Sequence, residues 1–92
     1  MTKIRVKKLA WRQWNIEHLK KHNVTVKEVE FSIINFIAHK HGYKGRYILI
    51  GRSGNRIIST IVKREKVNTY LVITARDADK KERKIVYEKE NK

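Results

Sequence analysis

Arg46-Tyr47-Ile48-Leu49-Ile50-Gly51-Arg52-Ser53-Gly54-Asn55-Arg56-Ile57-Ile58-Ser59-Thr60-Ile61-Val62-Lys63 is the stretch that decides the architecture. Residues 46–50 form an apolar run of strand length, and residues 56–63 are dominated by β-branched side chains. Between them, Gly51-Arg52-Ser53-Gly54-Asn55 has the chemistry of a hairpin turn. After a second connection at Glu65-Lys66-Val67-Asn68, Thr69 to Ala75 supplies another strand. The region 44–75 thus predicts a three-stranded antiparallel meander. Alternation puts Arg46, Ile48, Ile50 and Arg52 on one side of the first strand. In the third strand it separates Leu71, Ile73 and Ala75 from Tyr70, Val72, Thr74 and Arg76.

Towards the N-terminus the period changes to that of helices. Thr25-Val26-Lys27-Glu28 reads as a capping box, and Val26, Val29, Ile33, Phe36 and Ile37 follow at helical spacing. They predict a helix over 26–39, closed by the cationic His39-Lys40-His41 and by Gly42, a solvated helix end. An earlier helix is expected over 12–22, with Trp14, Asn15, His18, Leu19 and His22 on one arc and Asn23 closing it in left-handed geometry. Residues 3–9 read as a short first strand. Beyond the meander, Asp79 caps a last helix, with Glu82 at the reciprocal position. The order is strand, two helices, three strands, helix. That is an α+β fold of one domain, 1–92, with the N-terminal helix pair packed on one face of the sheet.

Composition narrows the function. The 92 residues carry 23 Lys and Arg against 9 Asp and Glu, a formal charge of +14, yet 40% are apolar, too many for a disordered basic tail. The absence of cysteine excludes disulfides, thiolate metal sites and a cysteine nucleophile. No apolar run is long enough for a membrane span, and no signal sequence is visible, so the expected compartment is the cytoplasm. The charge selects polyanionic partners, nucleic acid first.

Arg76 stands out among the cations because it ends a strand just before a helix, where forked guanidinium donors suit phosphate oxygens. Arg46 and Arg52 can converge on the same uncovered face. On the last helix Lys80, Arg83 and Tyr87 form a stripe, with Lys81 beside it. Glu82 falls on the inner side by angle, where a carboxylate requires a partner. Two readings stand together there: completion of the Asp79 capping box and a pair with Arg76. His18 and His22 have the i, i+4 spacing of zinc ligands, but no third ligand is evident, and no cofactor or metal is expected. His22 stays a candidate for acid–base work. There is no phosphate loop, no paired-carboxylate metal site and no GxSxG elbow.

Three segments resemble the BrnT family of toxins: Trp14-Asn15-x-x-His18-Leu19-x-x-His22-x-Val24-Thr25 with Glu28-Val29-Glu30; Tyr43-Lys44-Gly45-Arg46-Tyr47-x-Leu49-Ile50-Gly51-Arg52; and Ile73-Thr74-Ala75-Arg76-Asp77-Ala78-x-Lys80-Lys81-Glu82-Arg83 with Tyr87. The resemblance spans residues 9–88, and its last segment is the most specific. Where typical members read Trp-Asp and Lys-His-Gly, this chain has Trp11-Arg12 or Trp14-Asn15, and Lys21-His22-Asn23. The resemblance implies a RelE-like ribonuclease fold and a toxin–antitoxin pair with an acidic antitoxin of ribbon-helix-helix type. A hetero-oligomer of the two is one expected assembly.

The function expected is a metal-independent endoribonuclease in which the ribose 2′-OH attacks the adjacent phosphate. Such chemistry needs a base, an acid and cations for the developing charge. Arg76 and Arg46 are the candidates for charge stabilisation, Glu82 or His22 for the base, and Tyr87 for base stacking or proton transfer. Lys80, Lys81, Arg83 and Arg52 would hold the RNA backbone. The rival readings are a non-catalytic nucleic-acid-binding domain and a basic interaction protein that meets an acidic partner.

Overall fold

A computed structural model describes residues 4–91. Its elements are β1 (Lys8–Ala10), α1 (Gln13–Lys20), α2 (Val26–Ile34), β2 (Ala38–His41), β3 (Tyr47–Ser53), β4 (Arg56–Lys66), β5 (Thr69–Asp77) and α3 (Lys80–Glu90). The strands form one sheet in the order β1-β5-β4-β3-β2, antiparallel except for β1, which runs parallel to β5. The α+β architecture is the one expected, with the meander at its centre. α1 packs on β5 and α2 on β3 and β4, so the helix pair covers one face. Leu19, Val29, Ile33, Leu49, Ile58, Val62, Val72 and Ala75 are buried between them. α3 lies across the other face over a smaller cluster of Ala38, Ile50, Ile57, Ala78 and Val86.

Sequence and structure differ at several points, each for a local reason. The first strand is Lys8–Ala10 rather than 3–9, and residue 3 lies outside the described residues. The Lys7 and Lys8 amides both donate to Asn68 O, which sets where β1 joins the sheet. On α1 only Asn15 and Leu19 of the expected arc are buried; Trp14 and His22 are exposed. Asn23 has the left-handed φ of 54° expected of it.

The second helix stops at Ile34 instead of 39. Its capping box forms as expected, with Glu28 N donating to Thr25 Oγ1 and Thr25 N to Glu28 Oε1. Asn35, at φ −130° and ψ 58°, then breaks the helix. The Ile37 amide donates to Ile50 O at 2.8 Å, and the chain runs on as an edge strand beside β3. Phe36 and Ile37 keep the helical spacing because both arrangements can bury an apolar residue at those steps. His39, Lys40 and His41 are therefore strand residues and not a helix end.

β3 also outruns its expected end. It continues through Gly51 to Ser53, which confines the turn to Gly54 and Asn55, with Gly54 at φ 62°. Gly51 is a close-approach residue: a Cβ there would lie 1.9 Å from Ser32 O on α2. β4 likewise extends to Lys66, leaving Val67 and Asn68 as the next turn.

The parity expected for β5 fails at Ile73. Ile61 pairs with Thr74 but Val62 pairs with Val72, so Ile73 has no partner and forms a bulge. The buried Asn15 side chain donates to the Ile73 carbonyl at 3.0 Å. Tyr70, Val72 and Ala75 consequently share the helix-covered face. Arg76 pairs with Ser59 on the side facing α3.

Candidate functional site

The residues of interest lie on the α3 face, and the register explains how they meet. One row across the sheet reads Ala38, Ile50, Ser59, Arg76, and Lys40 lies two residues along β2 from Ala38. After β5, the Ala78 amide donates to Ile57 O at 3.0 Å and turns the chain back over the sheet. Asp79 then caps α3 by accepting from Glu82 N at 2.8 Å. That places Glu82 in the first turn with its side chain directed at the sheet, fully buried.

Glu82 is the hub. Its Oε1 accepts from Arg76 Nη1 at 2.7 Å, Ser59 Oγ at 2.9 Å and Asp79 N at 2.9 Å. Its Oε2 accepts from Arg76 Nη2 at 3.1 Å and lies 3.1 Å from Lys40 Nζ. Burial alone would raise the carboxyl's pKa. Hydrogen bonds from Arg76, the Asp79 amide, Ser59 and Lys40 outweigh burial and bring it down to about 2. The same bond holds the Arg76 guanidinium above its ordinary value, against the opposing effect of burial. One negative charge is thus shared by two cations, whose side chains are 33% (Arg76) and 43% (Lys40) exposed. The cluster encloses one carboxylate and turns two cations towards solvent, with the Asp79 carboxylate close enough to act on Arg76. Chemically it suits an anion that develops charge beside two fixed donors.

The capping box and the Arg76 pair, both foreseen for Glu82, coexist in the structure. A base role for Glu82 does not fit this geometry. A carboxylate ionised down to about pH 2, with both oxygens occupied, holds Arg76 in place and has little tendency to take a proton near neutrality.

Among the described residues, no hydrogen bond or ion pair joins His22, Arg46 or Tyr87 to Arg76 or Glu82. Arg46 lies just before β3; strand rise puts it about 13 Å along from Ile50. The exposed His22 follows α1, and its ring meets that of His18 edge-on at 5.6 Å. Among the described residues, no three His, Asp or Glu side chains converge. Tyr87 is half-exposed on α3 and, with Lys80, Lys81, Arg83 and Lys84, lines an open cationic groove. Arg83 Nη1 donates to Ala78 O at 2.7 Å, and Arg52 pairs with Glu90 beside the Tyr87 ring.

Sequence reasoning missed Lys40 and Ser59. Lys40 was hidden by the overlong second helix. Ser59 carried a signal, as a small hydroxyl between Ile57 and Ile61 on the inner face of a β-branched strand.

A second charged cluster sits on the opposite face, with arginine at its centre. Arg56 Nε donates to Asp77 Oδ1 at 2.6 Å, and Nη1 donates to Asn23 O at 2.6 Å and Glu28 Oε2 at 3.0 Å. Nη2 donates to His22 O at 3.2 Å. This network ties the α1–α2 connection to the ends of β4 and β5. The Arg56 hydrogen bond is the main force holding the Asp77 pKa down; for Glu28 the Thr25 amide comes first and Arg56 second.

Sheet order, helix placement and the α3 cover together define a small α+β fold with a cationic cluster beneath its last helix. The same fold is found in the 1.1 Å crystal structure of the Brucella abortus ribonuclease toxin BrnT, which superposes with a TM-score of 0.64. The match is 23% identical in sequence and covers 79% of this chain and 97% of that one. No family model matches the sequence. No curated protein matches it either.

Proposed function

We propose that this chain is an endoribonuclease toxin, the partner of an acidic antitoxin, and that it cuts RNA without a metal ion. The ribose 2′-oxygen bonds to the adjacent phosphorus, the bond from phosphorus to the 5′-oxygen breaks, the 2′-OH proton passes to solvent and the departing 5′-oxygen takes a proton from solvent. The observation that carries this reading is the Arg76–Glu82–Lys40 cluster: two partly exposed cations fixed by one buried carboxylate whose pKa their hydrogen bonds lower. Its occurrence on the fold of a ribonuclease toxin, in a chain of charge +14, supports the choice of RNA as substrate.

In this reading Arg76 and Lys40 stabilise the phosphorane charge. The cations need no reorganisation, because Glu82 already orients them. Glu82 is a positioning residue. Lys80, Lys81 and Arg83 attract the RNA backbone, and the open ring of Tyr87 stacks on a base. Metal independence is supported by the donor set, with no cysteine in the chain and no convergent ligand group among the described residues. The antitoxin's ribbon-helix-helix class follows only from the family resemblance.

The test is incubation of purified protein with total RNA in EDTA. Fragments ending in 2′,3′-cyclic phosphate are expected. Arg76→Ala should abolish them while retaining RNA binding within several-fold, and Lys89→Ala should leave both unchanged. RNA binding without cleavage would replace this reading by that of a binding domain. Cleavage that EDTA stops and magnesium or zinc restores would overturn the metal-independent mechanism.

A further inference from the structure

The opposite end of β5 offers a second surface. β1 is an edge strand, and among the described residues nothing pairs with its outer side. Val6, Lys7, Lys8 and Leu9 line one groove with Glu30, Ile33 and Ile34 of α2. Next to this groove α2 leaves Phe31 66% and Ile34 73% exposed, although both are large apolar side chains. An open strand edge thus runs beside two uncovered apolar side chains, and the exposed Lys7 and Lys8 outnumber the one carboxylate of the groove, Glu30.

The rim chooses the occupant. Lysines on an open edge oppose its pairing with a second copy, since like charges would face each other across the new ladder. A charge of +14 per chain adds long-range repulsion between copies. The same lysines favour a strand that carries carboxylates. An added strand would place alternate side chains towards Ile34 and Phe31 and the intervening ones towards the lysines.

We infer that the β1 edge and the outer face of α2 form a docking surface for an extended acidic segment of a partner protein, in which apolar residues alternate with Asp or Glu. The surface lies away from Arg76: β1 pairs with β5 at 69–71, and Arg76 is about 17 Å further along the strand on the opposite face. The inference does not rest on ribonuclease activity. It deepens that reading where the segment belongs to the antitoxin, and it then implies that docking here leaves the cationic cluster uncovered.

The probe is a blocked ten-residue peptide alternating Glu with Leu and Val, titrated into the ¹⁵N-labelled full chain. A Lys-for-Glu peptide serves as the control. Amide shifts should concentrate on residues 5–10 and 30–34. Binding should weaken with salt and fall roughly tenfold or more in Phe31→Ser/Ile34→Ser, whose own spectrum confirms the fold. Equal binding of the basic peptide, shifts centred on α3, or a wild-type dimer that the double variant abolishes would each overturn it. RNA cleavage assayed on the same samples separates the two proposals. Docking without cleavage removes only the nuclease reading, and cleavage without docking removes only this surface.

Discussion

Two charge clusters flank the end of β5, one on each face of the sheet, and they are built in opposite senses. In one, Arg56 is central and its donors are used by Asp77, Glu28 and two backbone carbonyls. In the other, Glu82 is central and its acceptors are used by Arg76, Lys40, Ser59 and an amide. The first holds one cation between two carboxylates, and it fastens a loop. The second encloses one carboxylate and leaves two cations partly exposed above it. Arginine and carboxylate are common to both, so chemical type alone does not mark a site; what marks it is which charge is enclosed and which is left over.

The sharpest way to break this comparison is to exchange arginine for lysine in each cluster. Arg76→Lys keeps the charge but loses the bidentate hold on Glu82, and cleavage should fall roughly 10²–10³-fold. Arg56→Lys should keep cleavage near wild type when measured well below its own melting temperature. Equal losses in both would erase the functional distinction.

Acid provides the next test. The Glu82 pKa is depressed from 4.5 to about 2, so its stabilisation is fully present above pH 4.5 and is lost as pH falls through about 2. Between pH 5 and 2 the wild type should lose about 3 kcal/mol more than Glu82→Gln does. Urea unfolding across that range reads the difference, and parallel curves would remove Glu82 as a charged hub.

Smaller effects belong to the fastening cluster. Arg56→Ala should cost about 2 kcal/mol in urea unfolding, because its carboxylate partners are partly exposed and recover solvent. Thr25→Ala, which removes only the cap of α2, should cost about 1 kcal/mol. An Arg56→Ala variant less perturbed than Thr25→Ala would show that the cluster fastens nothing.

What the sequence discloses divides by distance along the chain and not by face. The meander, both capping boxes and the Arg76–Glu82 partnership depend on neighbours in the chain, and local chemistry revealed them. Lys40 and Ser59 depend on pairing across three strands. That pairing could not be read while residues 35–39 counted as helix. Helical spacing of Phe36 and Ile37 does not distinguish a longer helix from a turn into an edge strand. The bulge at Ile73 was hidden for a related reason, since it coincides with a hydrogen bond from Asn15, 58 residues earlier in the chain.

That bulge makes β5 a counting device. The residues before it and those after it keep opposite phase, and a single unpaired position supplies the half-step between them. Deleting Ile73 would remove the half-step together with the extra residue: Val72 would stay opposite Val62 and Thr74 opposite Ile61, and plain alternation would then carry Arg76 to the α3 face. Deleting a neighbour such as Leu71 while the bulge remains would instead turn one segment over and send its side chains to the wrong faces. Loss of Ile73 should therefore cost chiefly the carbonyl that holds Asn15, and a one-residue deletion elsewhere in the strand should be the more damaging change.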